Sequence, residues 1–384
     1  MISVSETASA SVWVGPRKIE TRHYDIPRVT EDSMLLKMET AGVCGSDRHM
    51  YRQNPKWPTI LGHEITGRIF EAGARSSSKM KLYNSEILSV GDRVTVFPFI
   101  SCGTCWTCLR FGPCGACPNL FFYGGLMNPR NSDEYPHFFG GFAEYLYLMP
   151  GTVMWKIPDD ISSEVAVLMD PLGVAIRGIE SAITCPDPLE EAFCHDSSVV
   201  VQGSGAIGIL TALVARMSGV DSIIMSGGPE SRLILAKELQ VVDHTIDINE
   251  LAKQQRIDEV KELTDGKGAD VVFECAGGPD AFSEGLEMLR FAGTLVEVGN
   301  LVNPGAYATI DVTRDVCGKN ARIKGSGSMS LHTWGKAFSI MNRKKELLSR
   351  LVTHKFEIEE LDKALEAMEK ETCMKAILKS RSNS

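Results

Sequence analysis

The segment VVVQGSGAIG, residues 199–208, constrains the fold of this chain more than any other part of its sequence. An apolar strand runs directly into the pattern G-x-G-x-x-G, formed by Gly203, Gly205 and Gly208, and an apolar helix follows. The first glycine permits a tight turn, the second lets the backbone approach a pyrophosphate, and the third lets helix and strand pack closely. The segment therefore predicts a dinucleotide site at the N-terminus of the helix.

Around this turn the sequence alternates between strand-like and helix-like stretches. From about Asp196 onward, apolar runs such as SIIMSGG, DVVFECAGG and TLVEVGN alternate with the helical patterns of SRLILAKEL and FSEGLEMLRFAG. Strands and helices in alternation indicate βαβ units, so we predict an α/β domain with a doubly wound parallel sheet.

The earlier part of the sequence has a different texture. From Ser33 to about Leu148, short apolar runs such as GRIFEAG and GDRVTVFPF are broken by glycine, proline and polar residues, which is typical of a β-rich domain. A late apolar run, KAILK, predicts a strand that rejoins this first domain. We therefore place one domain at residues 1–164 and 330–384 and the parallel-sheet domain at residues 165–329.

Length and composition restrict the class of protein. A chain of 384 residues suits two domains, and its 43% hydrophobic and 23% charged residues are typical of globular proteins. The net charge of -9, with no long basic run, argues against nucleic acid or an anionic membrane as a partner. No apolar run reaches the roughly 18 residues of a membrane span. The first residues lack a signal-peptide pattern, so we expect a cytoplasmic protein with a small-molecule ligand.

Five of the eleven cysteines crowd into one short segment. Cys102, Cys105 and Cys108 stand at successive three-residue spacings, and Cys114 and Cys117 follow. In a reducing compartment such crowding indicates a metal, and four thiolates form a closed tetrahedral zinc site that holds a loop with few apolar residues. An iron–sulfur cluster is the alternative, but its usual spacing is tighter after the third cysteine. The spacing alone leaves Cys114 and Cys117 open as the fourth ligand.

A second group of ligand-type residues lies nearer the N-terminus. Cys44 stands in GVCGSDRH, and His63 follows nineteen residues downstream, with Glu64, in GHE. Taken singly, a cysteine beside glycine or a His-Glu pair is commonplace. Together, in a chain with a dinucleotide turn, they supply the sulfur and nitrogen ligands of a catalytic zinc that keeps one coordination position open.

Several motifs complete a family pattern. They are GVCGSD, GHE, GDRV, the cysteine segment ending in CPN, GGFAEY, GSGAIG, DVVFECAGG, TLVEVG, THKF and ALEAME. In this combination the chain resembles, over nearly its whole length, the zinc-containing alcohol dehydrogenases of the medium-chain dehydrogenase/reductase family. The resemblance implies a β-rich GroES-like catalytic domain with a structural-zinc lobe and a Rossmann domain for the cofactor.

The resemblance also implies roles for individual residues. Cys44 and His63 are expected to bind a catalytic zinc, with Glu64 as a further ligand or as a neighbour that displaces one. Asp170, in MDPLG, stands at the family's third ligand position, and a carboxylate there aligns the chain with the polyol, sugar and threonine dehydrogenase branches. Cys117 carries the family's C-P-N continuation and is expected to complete the structural zinc site, although the family's spacing is one residue shorter.

The implied activity is that of a zinc-dependent oxidoreductase. It transfers a hydride between a secondary alcohol, of polyol or sugar type, and NAD or NADP, and each chain is expected to hold two zinc ions. Ser46 resembles the family's hydroxyl that receives the alcohol proton, and His49 resembles the imidazole that passes it toward solvent. The alternatives are a threonine-type dehydrogenase of 3-hydroxy amino acids and a non-catalytic, zinc-stapled cofactor-binding protein.

The cofactor and the assembly are the remaining expectations. NADP stays open beside NAD, because no acid ends the second strand of the parallel sheet, where a carboxylate would bind the adenine ribose. Glu230 would substitute for that acid, whereas Arg232 would face a 2′-phosphate. The resemblance implies a homodimer or homotetramer. The residues expected to contact the cofactor are Gly203, Gly205, Ala206, Ile207, Gly208, Ser226, Arg232, Ala276 and Val298.

Overall fold

A computed structural model of the chain describes residues 6–82, 88–112, 115–125, 130–183, 196–299, 305, 307–370 and 372–380. The chain divides into two compact units. One comprises Met1–Asp170 and Ser330–Ser384, and the other comprises Pro171–Met329. Within the described residues, no helix has both the length and the apolar character needed to cross a membrane.

The regular elements are numbered in chain order. The strands are β1 (Thr7–Gly15), β2 (Lys18–Asp25), β3 (Met34–Gly42), β4 (Thr59–Ile60), β5 (Glu64–Ala72), β6 (Lys81–Leu82), β7 (Arg93–Phe97), β8 (Phe99–Ile100), β9 (Phe121–Phe122), β10 (Tyr145–Leu148), β11 (Val153–Lys156), β12 (Ser198–Gln202), β13 (Ser222–Gly227), β14 (His244–Asp247), β15 (Ala269–Glu274), β16 (Leu289–Glu297), β17 (Arg322–Gly325), β18 (Val352–Glu357) and β19 (Lys375–Lys379). The α-helices are α1 (Gly45–Tyr51), α2 (Ser76–Lys79), α3 (Trp106–Phe111), α4 (Ser163–Ala166), α5 (Met169–Ile183), α6 (Ala206–Met217), α7 (Glu230–Glu238), α8 (Lys253–Glu262), α9 (Pro279–Met288), α10 (Leu331–Ser349) and α11 (Leu361–Glu369).

The first unit is built on mainly antiparallel sheets. Its largest sheet has the strand order β18-β19-β3-β5-β7-β11-β6, with β10 also paired with β3. A second sheet has the order β2-β1-β4, and β8 pairs with β9. The predicted strand KAILK is confirmed as β19, which pairs antiparallel with β3 and so rejoins this unit. The β-rich, GroES-like architecture expected from the sequence is confirmed.

The sequence of β3, MLLKMETAG, explains its central place in this sheet. Residues 34–36 are fully buried, and a strand that is apolar on both faces avoids water only between other elements. Its last residue, Gly42, pairs with Glu64, the first residue of β5. This register brings the segment after β3, which carries Cys44, next to the segment before β5, which carries His63.

The second unit contains a sheet with the order β14-β13-β12-β15-β16-β17, in which every strand pair is parallel. Val200, Val272 and Leu295, from three neighbouring strands, are fully buried in one core cluster. Buried, nearly continuous apolar strands are typical of a parallel sheet that helices cover. The doubly wound Rossmann fold predicted from the strand–helix alternation is therefore confirmed.

One boundary in this unit differs from the prediction. The sequence predicts a helix through FSEGLEMLRFAG, but α9 ends at Met288 and β16 begins at Leu289. Leu289 pairs with Ala269 of β15, and Ala292 has a φ of 57°, a left-handed conformation that an α-helix does not continue through. The helix assignment beyond Met288 is wrong because strand pairing overrides the apolar spacing.

Candidate active site

The chain turns from β3 into α1 at Cys44. Cys44 is the N-cap of α1, and the Asp47 carboxylate accepts a hydrogen bond from the backbone N–H of Cys44 at 2.8 Å. Asp47 is completely buried, so this bond fixes the turn that carries the thiol. Asp47 stands in the motif GVCGSD, but its spacing alone gave it no role in the sequence analysis.

The imidazole of His63 lies against an acid and an aromatic ring. Nδ1 of His63 lies 3.6 Å from Oδ1 of Asp47, and the ring centroids of His63 and Phe122 are 5.3 Å apart. Burial lowers the pKa of His63, but the Asp47 carboxylate and the Cys44 thiol outweigh it and raise the pKa to about 10. Asp47 and Cys44 therefore both favour the charged form of the imidazole.

Two glycines make room for this cluster. Gly62, just before His63, has a φ of 94°, and a Cβ there would lie 2.6 Å from the ring of Phe142. A Cβ at Gly42 would lie 1.9 Å from Oε2 of Glu64. Gly62 requires glycine because of its left-handed φ, and a side chain at Gly42 would displace the carboxylate of Glu64.

The ligand-type atoms of Cys44, His63 and Glu64 lie close together. The thiol sulfur, an imidazole nitrogen and a carboxylate oxygen all lie within 4.8 Å of one another. These are the ligand atoms that zinc prefers in proteins. The structure thus brings together the three residues that the sequence analysis singled out from two separate segments.

Lys375, on β19, belongs to the same cluster and was missed in the sequence analysis. Its Nζ lies 2.5 Å from Oε1 of Glu64, and both side chains are buried. Burial lowers the pKa of Lys375, but the Glu64 carboxylate and the Cys44 thiol outweigh it, and the net shift is upward. The ammonium group therefore neutralises Glu64. The signal in the sequence was a lysine at the first position of KAILK, between the apolar residues Met374 and Ala376.

Asp170 lies near the start of α5 and is 6% exposed. It stands outside the group of three ligand atoms within 4.8 Å, and its buried Oδ2 has no hydrogen-bond partner in the described part of the chain. Burial raises the pKa of Asp170 to about 7 and that of Asp47 to about 6, against the attraction of His63. Crowded, buried acids of this kind fit a divalent cation, which would supply the missing positive charge.

Ser46 and His49 both lie on α1 and are half-buried. Their three-residue spacing makes them neighbours on the helix surface. Burial, together with the positive charges of Arg48 and Arg52, lowers the pKa of His49. The imidazole is therefore neutral at pH 7 and able to accept a proton.

Four cysteines form a second cluster around α3. The sulfur atoms of Cys102, Cys105, Cys108 and Cys117 all lie within 4.8 Å of one another. Sγ of Cys117 lies 3.5 Å from that of Cys102 and 3.9 Å from that of Cys105. A tetrahedron of thiolates with Zn–S bonds of about 2.3 Å has edges of about 3.8 Å. Backbone N–H groups lower the pKa of Cys102 to about 5, which favours the thiolate that zinc binds.

The glycine-rich turn joins β12 to α6. Gly203 has a φ of 98°, and a Cβ there would lie 2.8 Å from the backbone nitrogen of Ala276. A Cβ at Gly208 would lie 1.8 Å from the carbonyl oxygen of Gly203, whereas one at Gly205, the N-cap of α6, would meet nothing within 4 Å. The first and third glycines are thus required for packing, and the second leaves open space at the helix N-terminus.

The remaining residues expected at the cofactor lie at the carboxyl end of the parallel sheet. No acid ends β13, but Asp247, the last residue of β14, pairs in register with Gly227 of β13. A carboxylate thus lies one strand away from the position at which the sequence analysis looked for it. The expected contact residues in the strand ends and first helical turns are Ala206, Ile207, Ser226, Arg232, Ala276 and Val298.

Two family profiles match this chain. Residues 30–159 match the alcohol dehydrogenase GroES-like domain, and residues 206–343 match the zinc-binding dehydrogenase profile. The L-threonine 3-dehydrogenase of Bacillus subtilis (strain 168) is 30% identical over 92% of this chain and 92% of its own length. The sorbitol dehydrogenase of Halalkalibacterium halodurans is 31% identical over 92% of this chain and 93% of its own. An alcohol dehydrogenase structure from Thermotoga maritima has a TM-score of 0.87 at 32% identity and covers 98% of this chain and 100% of that one.

Proposed function

Because the chain belongs to the zinc-dependent alcohol dehydrogenase family, we propose that the cluster around Cys44 and His63 is its catalytic zinc site. The enzyme is an NAD(P)-dependent oxidoreductase that acts on CH–OH groups. The proposed substrate is a secondary alcohol within a polyol or sugar-like molecule. The observation that carries the proposal is the convergence of sulfur, nitrogen and carboxylate oxygen within 4.8 Å.

Cys44, His63 and Asp170 are the proposed ligands of the catalytic zinc. Distance favours Glu64 over Asp170, because Glu64 belongs to the close group. Charge favours Asp170, because Lys375 neutralises Glu64 through Oε1, although Oε2 of Glu64 and Oδ2 of Asp170 are both buried without a hydrogen-bond partner among the described residues. We give the charge argument more weight, since a buried carboxylate without a counter-ion is costly. Glu64 is then the neighbour that replaces a ligand.

Asp47 is proposed to position His63. Its carboxylate faces Nδ1 of the imidazole, which leaves Nε2 for the metal. A carboxylate on the second nitrogen of a metal-binding histidine fixes the ring and raises its basicity. The complete burial of Asp47 makes this contact insensitive to solvent.

Ser46 and His49 are proposed as the proton path. When bound, zinc acts as a Lewis acid that lowers the pKa of the substrate hydroxyl, and the nicotinamide accepts the hydride. Ser46 receives the hydroxyl proton, since it follows Cys44 by two residues at the start of α1. His49 passes that proton to solvent, because its lowered pKa keeps it neutral and ready to accept.

The four-cysteine cluster is proposed to hold the second, structural zinc. A closed site of four thiolates leaves no position for a substrate, so its role is to stabilise the segment around α3. Cys117 is the proposed fourth ligand, because its sulfur lies within the cluster. The alternative, Cys114, lies outside the described residues.

The glycine-rich turn and the strand ends around it are proposed to bind NAD or NADP. The open space at Gly205 and the N-terminus of α6 support a phosphate there. Ser226, Asp247 and Arg232 lie at or next to the strand end where the adenine ribose is expected.

A threonine-type substrate is the second candidate. The relatives at 30% and 31% identity are named L-threonine 3-dehydrogenase and sorbitol dehydrogenase. The proposed carboxylate ligand Asp170 suits both branches, so activity on threonine and on sorbitol decides between them.

The test is cofactor reduction by the zinc-loaded enzyme, with NAD and NADP in parallel, across polyols, sugars, threonine and simple secondary alcohols. We expect turnover of a polyol or sugar, with an inactive Cys44→Ser variant as the matched control. Highest activity on threonine would select the second candidate. A protein that holds two zinc ions per chain and oxidises none of these substrates would contradict the proposal.

The proposed assembly is a homodimer or homotetramer, which the family resemblance supports and sedimentation equilibrium tests. A cytoplasmic location is also proposed, because the four clustered thiols of the structural site persist in a reducing compartment. Cell fractionation tests the location.

A further inference from the structure

Two glutamates end neighbouring strands of the parallel sheet. Glu274 ends β15 and Glu297 ends β16, and the two residues are paired in register. Gln202, the last residue of β12, is the partner of Glu274 on the other side. Because paired residues of adjacent strands point to the same face, three polar side chains stand in a row at the carboxyl end of the sheet. In the sequence each acid follows an apolar run, in VVFECAGG and TLVEVG.

The two carboxyl groups are in contact. Glu274 is completely buried, and its carboxyl group lies beside that of its register partner Glu297, within reach of a side-chain hydrogen bond. Such a bond requires a proton on one of the two groups, because ionised carboxylates only accept. Burial, followed by the contact with Glu297, raises the pKa of Glu274 to about 8. At neutral pH the pair therefore carries one proton and one negative charge.

The carboxyl groups of Glu274 and Glu297 accept hydrogen bonds from the two turns that follow β15 and β16. Oε1 of Glu274 accepts hydrogen bonds from the N–H groups of Ala276 at 2.7 Å and Gly277 at 2.9 Å. Oε1 of Glu297 accepts the N–H of Gly299 at 3.0 Å. The turns pack together, since a Cβ at Gly277 would lie 2.8 Å from the carbonyl oxygen of Gly299. A change in the carboxyl pair therefore acts on both turns.

These turns carry Ala276 and Val298, which are proposed to contact the cofactor. The backbone of Ala276 packs on Gly203 of the glycine-rich turn, where a Cβ would come within 2.8 Å of it. The N–H of Val298 donates to the carbonyl oxygen of Glu274 at 2.9 Å. One layer of backbone thus separates the carboxyl pair from the proposed cofactor site.

Several charged groups on the surrounding elements have partners of their own. On α9, Glu284 pairs with Arg256 at 2.5 Å. On β17, Lys324 pairs in register with Val296, which puts it on the opposite face from Glu297, and its Nζ donates to a carbonyl oxygen of α5 at 2.9 Å. The other titratable or charged side chains on the packed elements are Asp280 and Glu287 on α9, Arg322 on β17 and Cys275 after β15. Because Glu284 and Lys324 are engaged elsewhere, we assign the charge of the Glu274–Glu297 pair to its own shared proton.

We propose that Glu274 and Glu297 share one proton and are positioning residues, holding both turns in the geometry that the nicotinamide cofactor requires. The inference rests on the proposed cofactor site and adds to it a dependence of cofactor affinity on pH. When the shared proton leaves to solvent at alkaline pH, two adjacent negative charges, one of them fully buried, repel each other. The turns then separate, and the cofactor binds more weakly.

The test is the dissociation constant of NADH and of NADPH, measured by fluorescence from about pH 6.5 to about pH 9.5. For the wild-type enzyme, the constant should stay level to about pH 8 and then rise about tenfold per pH unit, as expected for the loss of one proton. In Glu297→Gln, a neutral amide donates to Glu274 and no proton is shared, so the constant should stay level throughout. Glu262→Gln, which removes an exposed carboxylate at the end of α8, should keep the wild-type profile.

The slope with pH is the readout, since a purely structural role changes the constant without changing its slope. A Glu297→Gln profile that rises with the wild-type profile overturns the inference, as does a level wild-type profile. Glu274→Gln, checked for folding by circular dichroism, provides the reciprocal variant and should also give a level profile. A wild-type enzyme that binds neither cofactor at neutral pH overturns the proposed function together with the inference. If the wild-type enzyme binds the cofactor tightly at neutral pH but the variants keep the wild-type pH slope, the inference is overturned and the proposed function is not.

Discussion

The ammonium group of Lys375 lies 2.5 Å from Oε1 of Glu64, and both side chains are shut off from water. This pair ties β19 to β5 beside the proposed ligands Cys44 and His63. A buried ion pair adds little net stability, because both charges lose their hydration, but removing one partner leaves the other charge buried without compensation. The pair therefore makes the first unit sensitive to single substitutions.

Lys375→Met is expected to lower the free energy of unfolding of the metal-depleted protein by about 3–5 kcal/mol, because Glu64 stays buried without its counter-ion. Urea unfolding measures the change. Lys379→Met on the same strand is the matched control, because Lys379 is 40% exposed and its pair with Glu164 should contribute at most about 1 kcal/mol. Adding Glu64→Gln to Lys375→Met should restore most of the loss. Equal losses in the two lysine variants would contradict this account.

Gly42→Ala should displace the Glu64 carboxylate, since the new Cβ would lie 1.9 Å from Oε2. Overpacking of this kind costs about 1–3 kcal/mol, so the zinc-loaded protein should melt at a lower temperature. Gly15→Ala is the control, because its Cβ would approach nothing closer than Cβ of Lys18 at 3.9 Å. Calorimetry that gives Gly42→Ala the wild-type melting temperature would show that Glu64 moves without cost.

Asp170→Asn should leave one zinc ion per chain, the one bound by the four cysteines, because the catalytic site loses an anionic ligand. Glu64→Gln should retain two, since Lys375 rather than zinc is the partner of that carboxylate. Elemental analysis after dialysis against a weak chelator measures the content. If Asp170→Asn retained two zinc ions and Glu64→Gln retained one, Glu64 rather than Asp170 would be the third ligand.

Cys105→Ser should remove the structural zinc and lower the melting temperature, while Cys44→Ser should abolish turnover and leave the cysteine cluster loaded. The two outcomes differ because a closed thiolate site contributes folding energy, whereas the open site contributes chemistry. Cys317→Ser removes an exposed thiol and should change neither quantity. Normal activity of Cys44→Ser, or an unchanged melting temperature of Cys105→Ser, would make the corresponding zinc assignment wrong.

Glu274→Gln should change how stability depends on pH. Burial raises the pKa of Glu274 from 4.5 to about 8, so the folded protein holds a proton that the unfolded chain releases. The stabilisation from this group is complete below about pH 4.5 and is lost as the pH rises to about 8. From about pH 5 to about pH 8, the stability of the variant relative to wild type should rise by more than about 1 kcal/mol. A constant difference in urea unfolding across that range would contradict the shared proton.

Sequence reasoning located the groups whose signal lies in a short segment. The cysteine spacing from Cys102 to Cys117 identified the metal-binding segment, and the family's C-P-N continuation selected Cys117, whose sulfur the structure brings within 4.8 Å of the other three. The glycine pattern identified the turn at Gly203, because strand, turn and helix follow one another directly in the sequence. Cys44 and His63 were identified only by combining two motifs. The register of β3 with β5 explains why the two residues lie close together.

The residues that were missed depend on pairing between distant parts of the chain. Glu274 and Glu297 touch because β15 and β16 are parallel and in register, which no local pattern specifies. The helix boundary at Met288 was misplaced for the same reason, since strand pairing decides where β16 begins. Local spacing predicts an element and its buried face, whereas contacts between elements follow from the sheet order.

The pairing of Lys375 with Glu64 spans 311 residues, so it also sets an order of events during synthesis. At about 5–20 residues per second, a ribosome adds Lys375 roughly 15 to 60 s after Glu64. Until then the growing chain contains Glu64 without its counter-ion and β3 without its partner β19. The second unit, which is continuous in sequence, can fold during this interval. A chain released before β19 is made lacks Lys375, the ammonium partner of Glu64 in the proposed catalytic site, so incomplete copies are expected to remain inactive.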